Sequence, residues 1–346
     1  MKHNVHTRST KKDPGRGLPV VADLLAAGAV LLVFALFHHV LPREIGPMGY
    51  TAQAAIPTAA APAPSDAVLV PGVAVSTSGQ APASEEPSAL PAQTPAPAAA
   101  PGDFSATFPE EDTGVNALYS YQGEDMKIAI TRVQENGVTY FVADVYVRNL
   151  EAFHTAFAKG RYGVGIYEYP WDIADGVQAT FAVTGDYASA RNRGIVIRNG
   201  VLYRDSINSD VCLIFSDGVM ETYHGDTFDL NGVGEREIWQ AWGFGPLLLE
   251  DGQPLDTFDS AIAGRQPRNS IGYYAPGHYC FVTVDGRQSG YSHGMKLSEL
   301  SALYASLGCK TAFNLDGGAT AVMIFQGQVV NKPYKGGRKS GDIIWF

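Results

Sequence analysis

A chain of 346 residues has room for one or two domains, and its net charge of −10 makes nucleic acid, itself a polyanion, a poor partner. Its cysteines, Cys212, Cys280 and Cys309, lack the close pairing of a zinc site. No metal and no cofactor is expected, and at most one disulfide, for which Cys280 and Cys309 are the candidate pair.

The amino end is basic, with Lys2, Arg8, Lys11, Lys12 and Arg16 against Asp13. It leads into an apolar stretch, 19–41, interrupted early by Asp23. Basic residues ahead of an apolar span mark a cytoplasmic end. His38, His39, Pro42 and Arg43 stand where a cleavage site would need small residues, so the stretch reads as an uncleaved signal anchor. This predicts a single-pass protein whose carboxy-terminal part lies outside the cytoplasm. Residues 42–102 are dominated by Ala and Pro, too poor in large apolar side chains to offset the entropy of ordering, and read as a disordered spacer. At about 3 Å per residue, such a spacer holds a domain on the order of 100 Å from a bilayer.

Residues 103–346 contain no internal repeat and no second proline-rich break, which predicts one domain. Hairpin signals sit at Asn199-Gly200, Asp217-Gly218, Asp251-Gly252 and Gln326-Gly327. Two helices are expected. One runs from Leu150 to Lys159 ahead of Gly160; the other runs from Ser298, as N-cap, to Leu307, stopped by Gly308. The fold class is therefore α+β, a strand-rich mixed-sheet domain with a few helices.

The most specific stretch is Asn314-Leu-Asp-Gly-Gly-Ala-Thr-Ala321, a glycine-rich turn between two apolar runs. Gly317 and Gly318 let main-chain N–H groups approach a ligand, while Asp316 and Thr320 supply a carboxylate and a hydroxyl. Gly290-Tyr-Ser-His-Gly294 satisfies the serine-hydrolase pattern. However, Asp285-Gly-Arg-Gln-Ser intervenes before it, and no helix starts at the serine, as a nucleophile elbow requires. Ser-x-x-Lys, P-loop and His-Glu-x-x-His motifs are absent.

Several segments, in order, match one known family: Phe181-Ala-Val-Thr-Gly-Asp-Tyr187, Gly194 to Tyr203, Trp239-Gln-Ala-Trp-Gly-Phe-Gly-Pro246, Gln266-Pro-Arg-Asn-Ser-Ile-Gly272, Val284-Asp-Gly-Arg287, Asn314 to Ala321 and Val329-Val-Asn-Lys-Pro333. Together they resemble the phosphodiester glycosidase family, whose bacterial members are often labelled exopolysaccharide proteins. The chain departs from that pattern at Thr184, usually Asn, and at Ala319 and Thr320, usually Gly then Ser.

The resemblance implies hydrolysis of a sugar 1-phosphodiester in a cell-surface or extracellular glycan. Cleavage at an anomeric carbon needs one carboxylate to stabilise positive charge and a second group to activate water, for which Asp186 and Asp316 are the candidates. Arg268 is the leading candidate to hold the departing phosphate, with Arg193 and Arg287 in support. Thr184, Gly185, Asp285, Asn314, Gly317, Gly318 and Thr320 are candidate substrate contacts, whereas Tyr187, Trp239 and Trp242 are read as core. The alternative is a tethered polysaccharide-binding or assembly module that keeps this fold without turnover, which the departures at Thr184 and Ala319 motivate.

Overall fold

The computed structural model describes residues 25–32, 43–44 and 102–346. Most of the expected anchor and spacer lies outside these residues. Residues 25–32 are helical, and no helix among the described residues is long and apolar enough to cross a membrane. Within the expected spacer, Arg43–Glu44 pairs with Gly163–Val164.

The main elements in chain order are β1 (Tyr119–Gln122), β2 (Met126–Glu135), β3 (Val138–Val147), β4 (His154–Phe157), α1 (Pro170–Gly176), β5 (Phe181–Thr184), β6 (Gly194–Arg198), β7 (Val201–Ser206) and β8 (Val211–Phe215). They continue with β9 (Met220–Tyr223), β10 (Ile238–Trp242), β11 (Arg268–Ala275), β12 (His278–Val284), α2 (Leu297–Ser306), β13 (Thr311–Leu315), β14 (Met323–Phe325), β15 (Gln328–Val329) and β16 (Asp342–Trp345). Three larger sheets result, ordered β13-β11-β12-β3-β2-β1, β9-β8-β10-β6-β7 and β15-β14-β5-β16-β4. Their pairings among the described residues are antiparallel, so the α+β class holds while the expected mixture of strand directions does not. The four predicted turns all join antiparallel strands.

The central core lies where the three sheets meet. Along β12, Tyr279 and Phe281 enter it with Phe313, Trp242, Phe181 and Ile344. The alternate residues Cys280, Val282 and Val284 turn to the opposite face, where Leu297, Leu300 and Tyr304 of α2 cover them. Successive strand side chains point to opposite faces, so one apolar run serves two cores.

The helix expected from Leu150 to Lys159 is a correction. Leu150–Ala152 and Ala158–Gly160 form short 3-10 turns, and between them His154–Phe157 is an edge strand on Asp342–Trp345. Phe153 is fully buried against Tyr279 at 5.1 Å and Phe346 at 4.7 Å, and Thr155 N donates to Asn199 Oδ1. Tertiary pairing thus overrides local helical spacing. The second helix exists, but Lys296 rather than Ser298 is its N-cap, with Glu299 accepting from Lys296 N at 3.0 Å. Cys280 and Cys309 are buried free thiols, so the candidate disulfide is not formed.

Candidate functional site

The strand β5 ends in Thr184, and the turn after it carries Gly185 and Asp186. The strand β13 ends in Leu315, and the turn after it carries Asp316 to Thr320. Asp316 N donates to Gly185 O at 3.0 Å, which locks the two turns side by side. Gly185 is required here because a Cβ would stand 2.5 Å from Asp342 Oδ1. Gly317 is required because a Cβ would stand 2.6 Å from Pro267 O.

The two carboxylates line one cleft of about 230 Å³, together with Tyr167, Tyr187, Ser189 and the segment Arg338 to Gly341. Asp186 is held on both oxygens: Oδ1 accepts from Ala188 N at 2.9 Å and Oδ2 from Gly243 N at 3.2 Å. Arg198 Nη2 adds a contact at 3.0 Å to Oδ1. The same guanidinium reaches Asp342 Oδ2 at 2.8 Å through Nη2 and 2.9 Å through Nε, and its Nη1 donates to the carbonyls of Ile197 and Ala241. All three side chains of this triad are nearly closed to solvent.

Asp316 is differently placed. Thr320 Oγ1 lies 2.7 Å from its Oδ2, and Arg338 Nη2 lies 3.5 Å from the same oxygen. Burial, reinforced by the negative charge of Asp186, pushes its carboxyl up to about 6 from the ordinary 3.8, despite the opposing pull of Thr320 and Arg338. Asp342 is also raised, chiefly by burial and with Asp186 and Asp316 adding to it, against the counter-pull of Arg198. The arrangement therefore sets an anchored carboxylate beside a carboxyl poised to exchange a proton near neutral pH.

Other expected contacts fall elsewhere. Arg268 does not reach the cleft. Its Nε donates to Met295 O at 3.1 Å, and its Nη2 donates to Ile262 O at 2.6 Å and Gly264 O at 2.5 Å. Burial, with Arg287 adding to it, lowers it to about 10. Its fork is thus committed to main-chain carbonyls, and Arg338 is the arginine at the cleft.

Asp285 is likewise structural, accepting from Asn331 Nδ2 at 2.9 Å, Tyr291 Oη at 2.8 Å and Lys332 N. Asn314 Nδ2 donates to Gly245 O at 2.9 Å, deep in the core. Thr184 is fully buried, and its hydroxyl has no partner among the described residues. Arg193 is exposed and outside the cleft lining. Arg287 lies 3.4 Å from where a Gly318 Cβ would be, at the rim of the glycine turn. Trp239 and Trp242 are core as expected, but Tyr187 faces the cleft. Ser292 donates to Asp285 O and accepts from Thr139 N, so the Gly-x-Ser-x-Gly serine is a buried strut.

Sequence reasoning missed Arg198, Asp342, Arg338, Tyr167 and Ser189. The first lay inside a quoted segment, as a cation closing the apolar run Gly194 to Ile197.

The sequence model described as phosphodiester glycosidase matches residues 177–346. A curated relative, the SPbeta prophage-derived uncharacterized protein YomE of Bacillus subtilis (strain 168), is 31% identical over 146 residues, which is 40% of this chain and 22% of that protein. The chain thus spans under a quarter of that relative's length. Among solved structures, the catalytic domain of zebrafish N-acetylglucosamine-1-phosphodiester alpha-N-acetylglucosaminidase, auto-inhibited by its pro-peptide, superposes with a TM-score of 0.51 at 18% identity, covering 66% of this chain and 85% of that one. A hypothetical protein from Synechocystis superposes with a TM-score of 0.50 at 14% identity, covering 66% and 64%. These superpositions speak to the fold, and the sequence match to the family. Residues 177–346, just under half of the chain, thus carry the sequence pattern of the phosphodiester glycosidase family.

Proposed function

We propose that the domain hydrolyses the anomeric C–O bond of a sugar 1-phosphodiester, giving a free sugar and a phosphomonoester. The observation that carries this reading is that Asp186 and Asp316 line one cleft with Arg338. Asp186, fixed by Arg198 and two main-chain N–H groups, offers its carboxylate to the oxocarbenium-like centre. Asp316, with its raised carboxyl, takes the proton from the attacking water as general base. The departing phosphate is a good leaving group and needs charge more than a proton, which Arg338 and Lys339 at the mouth supply.

The apolar stretch 19–41 is proposed to anchor the domain outside the cytoplasm, where a surface glycan is the substrate. Retention of the full-length chain in the membrane pellet after alkaline extraction supports the anchor, and its release sinks it.

The activity test is release of free sugar by the full-length chain from a panel of sugar 1-phosphodiesters, including UDP-N-acetylglucosamine. Release that Asp316→Asn abolishes supports the glycosidase. Silence across the panel by a folded protein favours the binding module.

A further inference from the structure

A second cavity, of about 800 Å³, is lined by the stretch of chain that directly precedes the cleft's segment Arg338 to Gly341. It is lined by Trp171, Gln288, Val329, Lys332, Pro333 and Lys335, among others, and its described lining contains no carboxylate. Residues 332–341 run from this groove into the cleft: Lys332 and Lys335 line the first, Arg338 and Lys339 the second. From Gly317 to Gly341 the sequence holds no Asp or Glu, in a chain of net charge −10. Lys332, Lys335 and Lys339 are exposed, and none of them joins an ion pair among the described residues.

Aromatic rings accompany these cations. Tyr169 and Trp171 stack at 4.6 Å with 10° between their planes, and Lys339 Nζ lies 5.4 Å from the Tyr169 ring. Lys332 Nζ lies 4.8 Å from the Tyr291 ring, and both Lys335 and Arg287 lie 5.5 Å from the Tyr334 ring. The Trp171 ring packs against Gly337, where a Cβ would meet it at 3.0 Å. Half-buried rings give flat apolar faces for sugars, and the ammonium groups beside them give partners for phosphate.

We infer that this groove is a subsite for an anionic glycan whose repeats are linked by phosphodiesters, so that a polymer rather than a small diester is the preferred substrate. The inference rests on the cleft being the hydrolytic site. One sugar sits on Trp171, flanking phosphates lie against Lys332 and Lys335, and the next linkage falls at Arg338 in the cleft.

The test compares the full-length chain with Lys332→Ala/Lys335→Ala and with Trp171→Ala, none of which touches the cleft carboxylates. The probes are a synthetic hexamer of N-acetylglucosamine 1-phosphate repeats, the methyl diester of a single repeat, and neutral chitohexaose. Calorimetry is expected to show the hexamer binding at least about tenfold more tightly than the single repeat, with an advantage that shrinks as salt rises and that the double variant loses. Turnover of the single repeat should be unchanged in the double variant.

Equal hexamer affinity in wild type and double variant overturns the groove, as does chitohexaose binding as well as the hexamer. Hydrolysis of the single repeat with no hexamer advantage sinks the groove and spares the cleft. Lysine-dependent hexamer binding without hydrolysis of any probe sinks the cleft and leaves the groove as a binding site.

Discussion

Asp186 Oδ1 stands 3.0 Å from Arg198 Nη2, and the same nitrogen stands 2.8 Å from Asp342 Oδ2. One buried cation is thereby shared between two buried carboxylates that arrive from different strands. Removing it leaves two almost fully buried carboxylates without their shared cation. Arg198→Met is expected to lower unfolding free energy by about 3–5 kcal/mol. The check is a urea midpoint well below wild type at unchanged slope; a wild-type midpoint would mean that the carboxylates take up protons at no cost.

Asp316 sets the pH dependence. If it removes a proton from water, kcat/KM rises about tenfold per pH unit below its raised value near 6 and is flat above. Asp316→Asn is expected to lose at least about a hundredfold in turnover at pH 7. A raised carboxyl also favours folding below its unfolded value of 3.8, and this contribution disappears as pH climbs through about 6. The melting temperature of Asp316→Asn relative to wild type should therefore improve between pH 4 and pH 7. A relative melting temperature that falls over that range would contradict the raised carboxyl.

How far these features could be read in advance depends on how local each one is. Turns such as Asn199-Gly200 and the Asp-Gly-Gly motif carry their own backbone chemistry, so the hairpins and the position of Asp316 were legible in the sequence. Arg198 and Asp342 were not, because each looks like a polar residue at the end of an apolar run. What makes them partners is that β6 and β16, which belong to different sheets, bring the two side chains within 2.8 Å. Arg268 misled for the converse reason: a family-like motif marks a residue, not the direction of its side chain, and here the guanidinium turns to carbonyls. The stretch from Leu150 to Lys159 has helical spacing, but a strand edge and an aromatic nest captured it.

Arg338 is half exposed, so its effect is expected on chemistry rather than on stability. Its positive charge pulls the Asp316 carboxyl down, so Arg338→Ala should move the acid limb of the pH profile upward. The same variant should raise KM for phosphodiester substrates by about tenfold, as one charged phosphate contact is lost. Arg338→Lys should restore most of the pH shift but less of the KM. An unmoved limb in Arg338→Ala would place this arginine outside the electrostatics of Asp316.

Gly185→Ala tests the tightness of the anchored carboxylates. Its new methyl would meet Asp342 Oδ1 at 2.5 Å and Oδ2 at 2.9 Å, and Asp342 cannot retreat without releasing Arg198. Overpacking of this kind costs about 1–3 kcal/mol. The same shift loosens Asp186, so turnover should fall more steeply than the melting temperature implies. A variant with wild-type kinetics would show that Asp342 has room to move.

Arg268→Met separates a structural arginine from a substrate-binding one. The side chain donates to Met295, Ile262 and Gly264 and is almost fully buried, so its loss removes a donor from three separate carbonyls, of which Met295 O keeps Gln266 N. The expected cost is about 3 kcal/mol of stability. The carbonyls lie on the stretch entering β11 and on the approach to α2, away from the Asp186 cleft. Inorganic phosphate should therefore bind the folded variant as it binds wild type in calorimetry, while Arg338→Ala binds it more weakly. The opposite pattern, with affinity lost at Arg268 and kept at Arg338, would move the phosphate site to the glycine turn's far side and take the cleft's cationic partner with it.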